Sequence, residues 1–224
     1  DIINAAEHGQ ALVISGSSTG GEAGDVVTVT LNSKTYTTTL DASGNWSVGV
    51  PAADVTALGS GPQTVTASIT DAAGNSDDAS RTVTVNLTAP TIGINTIATD
   101  DVINAIEQQQ DLAVTGSSTH LAEGTQITVT INNVEYVTTV NASGNWQIGV
   151  PAADLQAWTA GGMTVSVSAE DAWGNTVAAE HPIELDLNAV AVTIDTVTTD
   201  DMLNAAEKGA DVTLSGQTQG VEAG

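Results

Sequence analysis

The sequence predicts an all-β chain of tandem antiparallel sandwiches in a linear array, and three observations carry that reading. The string Asp1-Ile2-Ile3-Asn4-Ala5-Ala6-Glu7 returns as Asp101-Val102-Ile103-Asn104-Ala105-Ile106-Glu107 and as Asp201-Met202-Leu203-Asn204-Ala205-Ala206-Glu207, a fixed period of 100 residues. Short runs such as Val27-Thr28-Val29-Thr30-Leu31 alternate apolar with polar residues, the period of a half-buried strand. Gly, Asn and Asp punctuate those runs, and no long amphipathic pattern interrupts them.

Laid on residues 101–190 without gaps, residues 1–90 match at roughly 40 positions, among them Trp46 with Trp146, Pro51 with Pro151 and Asp54 with Asp154. Units of this size are duplicated domains rather than short solenoid repeats. The expected division is 1–90, a unit whose first strand is truncated; 91–190, a complete unit; and 191–224, the N-terminal fragment of a third. That fragment is too short to close a core of its own.

In the complete unit, Thr91 to Ile97 reads as the first strand. Asp100 to Glu107 reads as a loop with one helical turn, being too short for a free-standing helix. Leu112 to Gly116 and Gln126 to Ile131 are the next strands, and Asn132-Asn133 turns the chain into Tyr136 to Val140. A Gly/Asn turn then delivers Trp146 into a strand, where an aromatic is expected in the core. Pro151 to Leu155 ends that strand and crosses to Met163 to Ala169. Asp171-Ala172-Trp173-Gly174-Asn175 forms a hairpin turn, and the last strand runs from Thr176 to Leu187, with Pro182 tolerated best near an edge. About seven short strands in such a unit predict an immunoglobulin-like sandwich, here without its disulfide. The connections Leu87 to Pro90 and Leu187 to Val190 are not Gly/Ser-rich, so successive domains are expected to stand in a line.

Composition sets the partners. Twenty-seven acidic residues face only three Lys and Arg, a formal net charge of −24, so nucleic acid and anionic membranes are repelled and cations attracted. Hydrophobic residues still make up 41 %, enough for a folded core. With no cysteine, disulfides and thiolate sites are excluded, and bound metal is one remaining way to stiffen an exported domain. No run of about 18 apolar residues occurs, so membrane insertion is not expected. Any targeting segment is expected outside the given sequence. No Gly-x-Ser-x-Gly elbow, HExxH pair or phosphate-cradling loop occurs, and an enzyme is not expected.

Strand counting puts the acidic loop after the first strand of one unit beside the Asp-Ala-x-Gly-Asn turn of the unit that follows. Such oxygen-rich loops suit calcium, which takes about 6 to 8 carboxylate, amide and carbonyl oxygens. At one helical turn, Asp101, Asn104 and Glu107 would share a side, as would Asp1, Asn4 and Glu7 and also Asp201, Asn204 and Glu207. Asp71 and Asn75 recur as Asp171 and Asn175. Each loop has a plainer reading that stays open. Asp100 or Asp101 would cap the turn, and the Asp/Asn pairs would serve local turn geometry. His8, His120 and His181 face Gln108, Gly20 and Arg81 in the other unit and are expected at the surface. Trp158 replaces Leu58 and is expected to fill core. Trp173 replaces Ala73 at a hairpin tip, where packing on the preceding domain is favoured over stacking on a sugar ring.

The strings Asp-Asp-x-Ile-Asn-Ala-x-Glu, Gly-Asn-Trp-x-x-x-Val-Pro-Ala-Ala-Asp and Asp-Ala-x-Gly-Asn, repeating at this length, resemble the bacterial immunoglobulin-like repeats of giant type I-secreted surface adhesins and biofilm-associated proteins. The resemblance covers essentially the whole chain. It implies an extracellular stalk on the bacterial cell surface, monomeric, whose neighbouring repeats bind Ca2+ at their joints and hold a distal adhesive region out for host attachment or biofilm formation. It carries calcium ligation onto Asp101, Asn104 and Glu107 with their repeat partners, with Asp100 and Asp200 beside them, and onto Asp71, Asn75, Asp171 and Asn175. Any glycan or host-surface ligand would be met by other parts of the full protein. The competing expectation is that these repeats bind carbohydrate themselves, through Trp173.

Overall fold

The alternating runs become strands whose apolar side chains all face one way. A computed structural model describes residues 1–220. The first unit contains β1 (Ile2–Ile3), β2 (Leu12–Ser17), β3 (Val26–Leu31), β4 (Lys34–Thr39), β5 (Asn45–Val50), helix α1 (Ala52–Thr56), β6 (Gly61–Thr70) and β7 (Ser76–Val85). Its sheets run β1-β7-β6-β3-β4 and β2-β5. Val27, Val29 and Leu31 are buried while the residues between them are not, which is the alternation read from sequence.

The second unit repeats this plan with β8 (Thr91–Ile94), β9 (Val102–Asn104), β10 (Leu112–Thr119), β11 (Gln126–Ile131), β12 (Val134–Thr139), β13 (Asn145–Val150), α2 (Ala152–Leu155), β14 (Gly161–Glu170) and β15 (Thr176–Asp186). Its sheets run β12-β11-β14-β15-β9 and β13-β10-β8. The two-residue turns between β3 and β4 and between β11 and β12 place Asn32, Ser33, Asn132 and Asn133 at φ of 49°, 61°, 47° and 64°. That conformation matches the twist of the flanking strands, and asparagine tolerates it.

Two expected elements differ from the structure. The first strand stops at Ile94 rather than Ile97, because the chain there leaves β10 and crosses to the other sheet. There β9 pairs in parallel with Glu184, Leu185 and Asp186 of β15. The segment expected to be loop and helical turn thus contains a strand, and its helical part is a 3₁₀ turn over Glu107–Gln109. A three-residue strand is stabilised by its partner some 80 residues away, not by local propensity. Pro182 lies where β15 has β14 on one side and β9 has not yet begun, as an edge-tolerant proline requires.

Nineteen buried residues from Ile97 to Leu185 form one core in the second unit, with Trp146 and Trp158 among them. The Trp146 ring lies over Gly116, its partner across β10 and β13, and a Cβ at Gly116 would overlap both that ring and the carbonyl oxygen of Gly93 on β8. In the first unit β2 pairs with β5 alone, and the buried residues fall into two clusters. In the third fragment β16 (Ala191–Ile194) pairs with β17 (Gly216–Gln219), while Val192 and Ile194 are each 77 % exposed. Among the described residues no helix is long and apolar enough to cross a membrane.

Candidate metal centre

The Asn-Ala-x-Glu strings build the same closed loop in every copy. Asn4 Oδ1 accepts the amides of Ala6 and Glu7 at 3.0 Å each, and Glu7 Oε2 accepts the Asn4 amide at 3.1 Å. Asn104 with Glu107 and Asn204 with Glu207 repeat all three bonds. This reciprocal capping leaves the second carboxylate oxygen, Oε1, of each glutamate outside the loop's own bonds.

Asp101 does something else. At φ 67° it sits in the left-handed region, and its Oδ1 accepts the Ile97 amide at 2.8 Å and lies 2.7 Å from His181 Nε2. Its own carbonyl accepts the Glu184 amide at 2.9 Å. The bond from Ile97, then the contact with His181, hold its carboxyl below the usual range. Asp201 repeats the bond as Val197 N–H to Oδ1, and Asp1 pairs with Arg81 instead of a histidine. Asp100 and Asp200 each accept an amide two residues on. The expected helical face shared by Asp101, Asn104 and Glu107 does not form, because Val102–Asn104 is extended and Asp101 is turned toward β15.

The Asp-Ala-x-Gly-Asn turns are equally self-contained. Asp71 Oδ1 accepts the amides of Ala73 and Asn75, and its Oδ2 accepts Asn75 Nδ2 at 2.8 Å. Asp171 does the same with Trp173 and Asn175. Hydrogen bonds led by the Asn75 side chain lower the Asp71 carboxyl. For Asp171 burial pushes upward and is outweighed by the bonds from Asn175, Trp173 and Gly174.

These motifs meet at the one joint whose two sides both lie in this chain. Asn4 Nδ2 donates to the Gly174 carbonyl at 3.3 Å, and the Ala5 amide donates to Asn175 Oδ1 at 2.8 Å. Asp171 and Asn175 are buried there at 7 % and 5 % exposure, whereas Asn75 is exposed. The loop of one unit therefore does face the turn of the next. Trp173 keeps 41 % exposure beside it.

The gathered donors are all oxygens, which suits a hard cation rather than zinc. Among the described residues no three acidic or imidazole side chains converge. An ion here would therefore draw on amide and backbone carbonyl oxygens as well as carboxylates, a mixture calcium accepts.

The histidines correct the surface expectation in two of three cases. Half-buried His8 contacts the Leu58 carbonyl through Nε2 at 2.9 Å, and Gln108 donates to the Leu155 carbonyl at the same distance. His181 stands where Arg81 stands, each against the aspartate that opens its unit's Asn-Ala-x-Glu segment. Only His120 is exposed. The available signal was an invariant Asp1/Asp101 set against a position that stays cationic or imidazole.

A family profile described as bacterial Ig-like domain matches residues 15–88. A Ca2+-stabilized adhesin with which an Antarctic bacterium reaches out and binds ice is 39 % identical over 98 % of this chain, with a TM-score of 0.53. The chain belongs to the bacterial immunoglobulin-like domain family. It spans 55 % of that structure. A second structure, from a 1.5-MDa bacterial ice-binding adhesin, is 32 % identical over 98 % of this chain and 72 % of its own, with a TM-score of 0.49. A bacterial immunoglobulin-like domain from the M. primoryensis ice-binding adhesin is 40 % identical over 44 % of this chain and 99 % of its own, with a TM-score of 0.36. No curated protein matches. The bacterial Ig-like repeats described here are thus homologous to repeat domains of large adhesins.

Proposed function

We propose that these bacterial Ig-like repeats are calcium-stiffened spacers in the stalk of a secreted cell-surface adhesin, holding a distal adhesive region away from the cell. The observation that supports this most is the joint, where the oxygen-rich loop of the first unit lies against the Asp171-to-Asn175 turn of the second, whose Asp171 and Asn175 are buried. Asp1, Asn4, Glu7, Asp171 and Asn175 are the ligand candidates there. Asp71 and Asn75 would serve a joint with a preceding unit. Asp100, Asp101, Asn104 and Glu107 would serve the joint with the third unit, and Asp200, Asp201, Asn204 and Glu207 one with a fourth. Bound calcium would neutralise the facing carboxylates, and the chain's own loops would hold the two domains in line.

Calorimetric titration of the chelated chain with calcium tests this, with binding expected at about 10⁻⁴ to 10⁻³ M. Calcium at about 100 times its dissociation constant should add about 2.7 kcal/mol of stability and raise the melting temperature. Small-angle scattering should give a longer particle with calcium than with EDTA. Equal length and equal melting temperature in both would reject the proposal. Glycan binding lost on Trp173→Ala would replace it with the carbohydrate reading.

A further inference from the structure

The joint contains a contact made directly between groups of the two units. Asn4 and Asn175 belong to different units, and each bonds the backbone of the other's loop: Asn4 Nδ2 to the Gly174 carbonyl, and Asn175 Oδ1 from the Ala5 amide. Each asparagine is also fixed by its own loop. Asn4 Oδ1 is held by the amides of Ala6 and Glu7, and Asn175 Nδ2 by Asp171 Oδ2. Both side chains are therefore oriented before the units meet, and docking costs little further rotamer entropy. Gly174 is required there: at φ 80° it adopts the left-handed region, and a Cβ would come within 2.9 Å of Asn4 Nδ2.

We propose that this reciprocal asparagine latch is a metal-independent docking code between repeats. The Asn-Ala-x-Glu loop of any unit is a surface for the Asp-Ala-x-Gly-Asn turn of the unit that follows. The loop at Asn104 and the turn at Asp71 are open halves of the same latch, with internal bonds matching those of the engaged halves. Their partners are further copies of this repeat.

Amide hydrogen exchange on the whole chain in EDTA is the test, because Ala105, in the closed second unit, is an internal control whose equivalent amide lacks an Asn175. Ala5 should exchange about tenfold more slowly than Ala105, as one added hydrogen bond implies. Asn175→Ala should abolish that difference. Asn4→Asp, which keeps the acceptor for Ala6 and Glu7 but removes the donor to Gly174, should reduce it. Ala5 exchanging as fast as Ala105 in EDTA would overturn the latch, and so would protection that appears only with calcium, which would leave the stalk proposal standing. Extending the chain after Gly224 by a second copy of residues 125–190 completes the third unit by the repeat's own register. Ala105 should then become as protected as Ala5, and continued fast exchange there would overturn the code.

Discussion

The chain carries the same five-residue turn twice, once open at Asp71 to Asn75 and once covered at Asp171 to Asn175. Inside the turn the hydrogen bonds do not change although Trp173 replaces Ala73: the aspartate caps the corresponding amides and holds the corresponding asparagine. Only burial differs, from an exposed Asn75 to an Asn175 at 5 % exposure. Turn geometry is thus local and encoded within five residues, whereas the interface is added by the neighbouring unit. The two cores differ in a related way. The second unit closes as one cluster under β8; the given sequence begins after the position equivalent to β8 in the first unit, and there, among the described residues, β2 pairs with β5 and the buried residues fall into two clusters.

The largest expected difference between the units tests that last point. Gly116→Val would drive a side chain into both the Trp146 ring and the Gly93 carbonyl, and backbone cannot move aside as a side chain can. A loss of about 3 kcal/mol or more is expected, enough to unfold the second unit. At Gly16 the given sequence begins after the strand equivalent to β8, the nearest atoms are the Trp46 ring at 2.6 Å, and in this chain Gly16→Val should cost about 1–2 kcal/mol. Calorimetry resolving the two transitions reads both. Equal losses would mean that β8 does not clamp the Trp146 site.

Next in size is the turn itself. Asp171→Ala strands three donors, the part-buried amide of Trp173 and the buried amide and side chain of Asn175, at about 1–3 kcal/mol. In Asp71→Ala water can reach the same donors, and the loss should be smaller. Both carboxyls are lowered in the folded state, so each contributes stability fully present above the unfolded aspartate value near 4 and lost as pH falls below it. Acid titration of the wild type and the two variants by circular dichroism should show the weaker acid dependence in each variant. If Asp71→Ala proves as costly as Asp171→Ala, the joint does not exclude water.

Much of this was legible in the sequence. The 100-residue period, the strands around Val29 and Val129, the Asn132-Asn133 turn and the facing of loop and turn across a joint follow from spacing and alternation alone. What was hidden depended on contacts distant in sequence. The β9 strand exists only against β15, and nothing local distinguishes Val102–Asn104 from loop. The helical face expected for Asp101, Asn104 and Glu107 failed for the same reason. His8 was expected at the surface because its target, the Leu58 carbonyl just past the short helix, lies about 50 residues on, as does the Leu155 carbonyl that Gln108 reaches at the end of α2. Both side chains tie the 3₁₀ turn to the short-helix region through different carbonyls, which a position-by-position comparison of the two units scores as divergence.

The smallest predicted effect concerns the other such exchange, Arg81 against His181. Arg81 is 80 % exposed where it meets Asp1, and an exposed ion pair is worth little once side-chain entropy and screening are counted. Arg81→Ala should therefore stay within about 0.5 kcal/mol of the parent. His181 is 23 % exposed and bonds an aspartate that also receives the Ile97 amide, so it helps fix the crossover from β8 to β9. His181→Ala should cost about 1 kcal/mol, and it should also speed exchange of the Ile97 amide, which an electrostatic effect alone would not do. Denaturant titration of both variants, with exchange measured at Ile97, separates the cases. A larger loss at Arg81, or an unchanged Ile97 amide in His181→Ala, would show that the pair serves charge balance rather than the crossover.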